Sequence, residues 1–181
     1  MKDIFDKDFK EISVTETVAM TGGLIAGTLL SSFTHKLELI PGLFVLLPGF
    51  LALKGNIHGS LASRLSSALH MGHIKVYKFD SILIQNIAAS LVLSILISLI
   101  LGGTAYGMTI AFFKINNINI LWLSVIAAFI ANIIMLPVTI ITLFWVFNKG
   151  FDPDNIMGSY ITTVGDIVAV MSILLAIGMI T

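Results

Sequence analysis

The chain has 181 residues, 57% of them hydrophobic, with a mean hydropathy of +1.02. A soluble core cannot use that much apolar surface, so the composition excludes an ordinary soluble domain and predicts an all-α integral membrane protein in the lipid bilayer. Ten basic residues balance ten acidic ones, leaving no basic excess for nucleic acid, and the lack of cysteine excludes disulfides and thiolate metal sites.

The N-terminal stretch carries mixed charge from Lys2 to Glu16, unlike a cleavable signal peptide. Ile4, Phe5, Phe9 and Ile12 fall roughly on one helical face, which predicts a short cytoplasmic amphipathic segment over residues 1–14 at the membrane surface. Ser13 and Glu16 have the spacing of a capping box, expected to open a first membrane helix over 15–34. Within it, Gly23-x-x-x-Gly27 permits close helix packing.

The second segment, 38–70, would measure roughly 50 Å as one helix, well over a hydrocarbon core of about 30 Å. It contains Pro41, Gly42, Pro48, Gly49, Gly55 and Gly59, together with Lys54, Asn56, His58 and Arg64. This predicts a kinked or broken helix. A break near Gly55–Asn56 would free backbone carbonyls and add an amide oxygen, the ligands hard cations prefer. Tight packing against a neighbour would account for the same glycines.

A polar loop from Gly72 to Asp80 leads into helices expected over 81–113 and 119–148, the latter with Pro137 as a kink. Asp152 can cap and Pro153 can open a fifth helix over 153–180. The expectation is one five-helix transmembrane domain over 15–181. Lys2, Lys7, Lys10, Lys75, Lys78 and Lys149 would share one side, against Lys36 and Lys114 on the other. That asymmetry predicts a multi-pass protein of the cell membrane with its N-terminus cytoplasmic and its C-terminus outside. An odd helix count without inverted halves assigns any two-fold symmetry to a second chain.

The last helix carries one charge beyond Ile156, Asp166. It lies 13 residues past Pro153, or roughly 20 Å along the helix, deep in the hydrocarbon. A carboxylate there costs about 2.5–3.5 kcal/mol, so it should face a partner, a water-filled path or an ion. Thr162 and Thr163, at i−4 and i−3, share its face and complete an oxygen-only lining. An ion pair with Lys54 or Arg64 is the structural alternative. The remaining polar residues carry weaker signals. His70 and His73 have i, i+3 spacing but sit at a helix end, where surface histidines are the better reading. His58 reads as a packed interior histidine, Arg64 as a snorkelling side chain, and Lys54 as an electrostatic tuner of a cation path or the partner of a carboxylate.

The run Leu51-Ala-Leu-Lys-Gly-Asn-Ile-His-Gly-Ser-Leu-Ala-Ser-Arg-Leu-Ser-Ser-Ala-Leu-His-Met-Gly72 resembles the second membrane helix of the MgtE magnesium transporters, most nearly their solute carrier family 41 relatives. Gly150-Phe-Asp-Pro-Asp-Asn, followed by Ile161-Thr-Thr-Val-Gly-Asp-Ile, resembles the family's last helix with its pore aspartate. The resemblance implies a homodimer, or a pairing with a sister half-transporter, with the ion path on the two-fold axis between the second and fifth helices of each chain. Carried over, Asp166 and Thr162 become the Mg²⁺-binding positions, and Gly55, Asn56, Gly59, Ser60 and Thr163 become pore-lining ones. The transported ion would be held through its water shell, because Mg²⁺ dehydrates reluctantly. The sequence departs from bacterial MgtE in having only about 17 residues before its first membrane helix, so gating by nucleotide-binding CBS domains is not expected, and the N-terminal amphipathic segment is the candidate gate.

Three other readings compete. Sodium-coupled Mg²⁺ exchange would make flux follow a Na⁺ gradient. An intramembrane aspartyl protease needs two catalytic aspartates, and each chain supplies one, in Val-Gly-Asp166, so the reading as an enzyme is disfavoured. A non-transporting scaffold subunit would use Asp166 for assembly alone.

Overall fold

The computed structural model describes residues 7–37 and 40–180, without the side chains of residues 36 and 37. They form α1 (Lys7–Ser32), the single turn α2 (Thr34–Leu37), α3 (Leu43–His70), α4 (Ser81–Phe113), α5 (Asn119–Asn148) and α6 (Pro153–Ile180). Four helices, α1, α4, α5 and α6, are long and apolar enough to cross a membrane. The fifth long helix, α3, has 28 residues, about 42 Å of length. Its lysine, arginine, histidines and serines lower its hydropathy, and it packs against α4, α5 and α6. Together α3 to α6 make a bundle in which α5 also touches α4 and α6. By contrast, α1 lies outside this bundle, against α6.

Local chemistry explains the helix ends. Asp80 caps α4, its Oδ1 accepting from the Leu83 amide at 2.9 Å. Asp152 does the same ahead of α6, accepting from the Asp154 amide at 2.9 Å, and Pro153 takes the first helical position. Gly42, just before α3, has a φ of +85°, a left-handed conformation that Pro41 and a helix start together impose. A Cβ there would also strike Ile120 on α5 at 2.7 Å.

Three expectations change. First, residues 7–14 are continuous with the rest of α1 and not a separate surface helix; residues 1–6 of that expected segment lie outside the described residues. Ser13 is therefore interior, its carbonyl accepting from Thr17 Oγ1 at 2.8 Å, and the capping box is not formed. The first described turns of α1 are tied to the α5–α6 corner. Lys7 Nζ donates to the Gly150 carbonyl at 2.9 Å, and Asn155 Nδ2 donates to Asp8 Oδ1 at 3.2 Å.

Second, α3 is continuous from Leu43 to His70, with no break at Gly55–Asn56. The carbonyls expected to be free stay in the helical ladder. The glycines serve packing: a Cβ on Gly55 would lie 3.5 Å from Thr162 Oγ1 and 3.8 Å from Thr162 Cα. One on Gly165 would lie 3.8 Å from the Gly55 nitrogen. Backbones of α3 and α6 therefore cross closely through small residues. Third, the tight α1–α6 contact uses Gly22 and Ala26, the two buried residues of α1, and not Gly23 and Gly27, which have open space around them.

Two apolar cores fill the bundle, one around Leu43–Ile57 and one around Leu61–Leu69 of α3. Between them lies a polar layer. Lys54 is 0% exposed, its Nζ donating to Ser94 Oγ at 3.1 Å and to the Ala128 carbonyl at 3.2 Å, and lying 5.1 Å from the Phe50 ring centroid. One turn on, His58 Nε2 and Asn132 Oδ1 are 3.2 Å apart and fully enclosed. The interior-histidine reading of His58 therefore fits.

Candidate cation site

Asp166 occupies the middle of α6, 13 residues from its start at Pro153. It opens onto a cleft of about 490 Å³ between α6 and α1. Gly158, Ser159, Thr162, Thr163 and Asp166 form the α6 wall, and Glu16, Ala19, Met20 and Gly23 the α1 wall. The i, i+3, i+4 and i+7 spacing along α6 puts these oxygens on one strip. Thr162 Oγ1 donates to the Gly158 carbonyl at 3.0 Å, which leaves the hydroxyl lone pairs for the cleft. Thr163 Oγ1 lies 2.9 Å from the Ser159 carbonyl and 3.3 Å from the Ala19 carbonyl, so this hydroxyl also ties α6 to α1.

The ion-pair alternative is absent. Among the described residues Asp166 has no salt bridge and no hydrogen bond. Lys54 turns away from it to α4 and α5, and Arg64 donates from Nη2 to Ser90 Oγ at 3.1 Å and from Nε to the Ser60 carbonyl at 3.2 Å. Among the described residues, a carboxylate at the middle of a helix long enough to cross a membrane thus faces an oxygen-lined space without a counter-charge. Such a space suits water or a cation.

The expected residues of α3 separate. Gly55 contacts Thr162 and so touches the site's wall through packing. Asn56 lines a different cleft, of about 320 Å³, with Leu93, Ile97 and Leu101 of α4. Gly59 has no neighbour within 4 Å of an added Cβ, and Ser60 is exposed. Sequence reasoning missed Glu16 and Ser159. Ser159 Oγ donates to the Glu16 carboxylate, a contact between residues 143 apart in the chain that no local spacing announces. It also missed the company of His70: its Nε2 is 3.7 Å from Asp152 Oδ1, with Asp154 close by, at the membrane face where α3 ends and α6 begins.

Four helices long and apolar enough to cross a membrane, with a half-buried carboxylate in an oxygen-lined cleft, are the features of a multi-pass membrane protein. Residues 47–176 match the model of the family described as MgtE, divalent cation transporter, and the chain belongs to that family. It is similar to solute carrier family 41 member 2 of Mus musculus, Macaca fascicularis and Homo sapiens, each 27% identical over 168 residues. Those alignments cover 87% of this chain and 29% of each relative, so the chain spans less than a third of the relatives' length.

Proposed function

We propose that the chain carries Mg²⁺ across the membrane as one half of a two-chain pore, with the hydrated ion held through water by Asp166 of both chains and by Thr162. The single observation behind this reading is the unpaired Asp166 at the centre of α6, facing hydroxyl and carbonyl oxygens, in a chain of a divalent cation transporter family. Two such carboxylates resist joint ionisation in a low dielectric unless a cation lies between them. Oxygen-only ligands and a retained water shell suit Mg²⁺. Discrimination then acts on the size and charge of the hydrated complex.

A second copy is supported by α3. Asn56, Ser60, Ser63 and Ser67 are exposed at helical spacing. A polar stripe of this length is costly against lipid and needs a protein or water-filled surface opposite. The excess of lysines on the loops at the Lys7 end supports a cytoplasmic N-terminus.

The test is Mg²⁺ uptake into proteoliposomes. Wild-type protein is expected to load the vesicles, and Asp166→Asn, which keeps the side-chain volume and removes the charge, is expected to reduce uptake by at least about 100-fold, the loss of roughly 3 kcal/mol of ion stabilisation. Uptake by Asp166→Asn at the wild-type rate would refute the reading.

A further inference from the structure

The cleft beside Asp166 holds a second carboxylate, contributed by α1. Glu16 and Asp166 line the same space, and the Ser159 hydroxyl, donating to Glu16, holds that acid toward α6. From Ser159 to Asp166 is seven residues, two helical turns, or about 10 Å. The Thr162 and Thr163 hydroxyls line the wall between them.

Glu16 lies five residues past Glu11, the end of the charged run, about 7 Å further along a helix long and apolar enough to cross a membrane. Among the described residues no basic side chain pairs with it. An acid in the apolar part of such a helix is costly unless it faces water or a cation. Packing does not require the charge. Gly22 against the Thr163 methyl, and Thr163 Oγ1 on the Ala19 carbonyl, already join α1 to α6. A neutral amide could accept the Ser159 hydroxyl equally well.

We propose that Glu16 is a relay carboxylate: it captures a hydrated divalent cation arriving from the Pro153 end of α6 and passes it along the α1–α6 seam to Asp166. This rests on the proposed passage of Mg²⁺. A negative cleft raises the local cation concentration, which matters most when the ion is scarce. Two stations about 10 Å apart along one helix face also let an arriving ion displace the one ahead.

The experiment measures initial Mg²⁺ uptake against Mg²⁺ concentration in proteoliposomes of wild type, Glu16→Gln, Glu16→Asp and Asp166→Asn, with thermal midpoints of each in detergent. Glu16→Gln is expected to raise the half-saturating Mg²⁺ concentration about tenfold, at the low end of electrostatic focusing, while leaving the maximal rate within about twofold and the thermal midpoint unchanged. Glu16→Asp, which restores the charge on a shorter stem, is expected to recover most of that loss. A wild-type saturation curve for Glu16→Gln overturns the relay, while a dead Asp166→Asn in the same series keeps the reading of Asp166. A lowered midpoint with unchanged uptake per folded molecule makes Glu16 a packing pin and also overturns it. No uptake by wild type removes the relay together with the proposed function.

Discussion

At the α3–α6 crossing the Lys54 Cβ is 3.8 Å from a Cβ added at Gly165, the residue before Asp166 in the chain. The bundle treats the two residues differently. Lys54 is completely enclosed and spends its Nζ on Ser94, the Ala128 carbonyl and the Phe50 ring, so it works as interior structure. Replacing it should show this. Lys54→Ala removes a buried stem and strands the Ser94 hydroxyl and the Ala128 carbonyl, an expected loss of about 2–4 kcal/mol. Lys54→Met keeps the volume and should cost less than that, about 1–2 kcal/mol. Thermal unfolding in detergent measures both, and an unchanged midpoint for Lys54→Ala would contradict the assignment. Asp166, by contrast, has no partner to strand among the described residues, so Asp166→Asn should leave the fold intact while altering ion binding. The isolation of Asp166 was legible from the sequence alone, as the one charge in a long apolar run. The role of Lys54 was not, because a lysine four residues before His58 reads the same whether it turns to α6 or to α5.

The helices that begin at strong caps were readable in advance. Asp80 ahead of α4 and Asp152-Pro153 ahead of α6 are local devices whose geometry follows from the residues themselves. Where tertiary contact decides, local signals misled. The Ser13 capping box yields to a helix already begun at Lys7 and pinned to Gly150 and Asn155. Gly55 marks a close crossing with Thr162, and a glycine in a membrane helix looks the same before a break or a crossing. The α1–α6 seam offers a sharp check on this picture. A Cβ on Gly22 would lie 3.6 Å from the Thr163 Cβ, inside the range of about 3.5–4.5 Å that disulfides span. The double variant Gly22→Cys/Thr163→Cys is expected to form an intrachain disulfide under mild oxidation, in a chain with no native cysteine to compete. Gly27→Cys/Thr163→Cys is expected to stay reduced. The reverse pattern, read by thiol labelling and mass spectrometry, would mean that α1 meets α6 in another register.

The polar stripe Asn56, Ser60, Ser63 and Ser67 is the feature a single bundle leaves unexplained, and the proposed pairing of two chains would cover it. The expected particle in mild detergent has twice the 19.5 kDa chain mass, and Ser60→Cys is expected to give interchain cross-links that Lys114→Cys, on a loop, does not. A monomer by native mass spectrometry, with no Ser60→Cys cross-link in membranes, would contradict the pairing. The proposed path for the ion combines groups distant in sequence, Glu16 from one end of the chain and Asp166 from the other, and spacing rules point only to the second. Mg²⁺-dependent stabilisation tests the central claim most directly, because an ion that binds only the folded state raises its stability by about 2.7 kcal/mol at 100 times its dissociation constant. Thermal melts of the purified protein across a Mg²⁺ titration should climb for wild type and stay flat for Asp166→Asn. Equal stabilisation of both by Mg²⁺ would mean that the ion is held elsewhere.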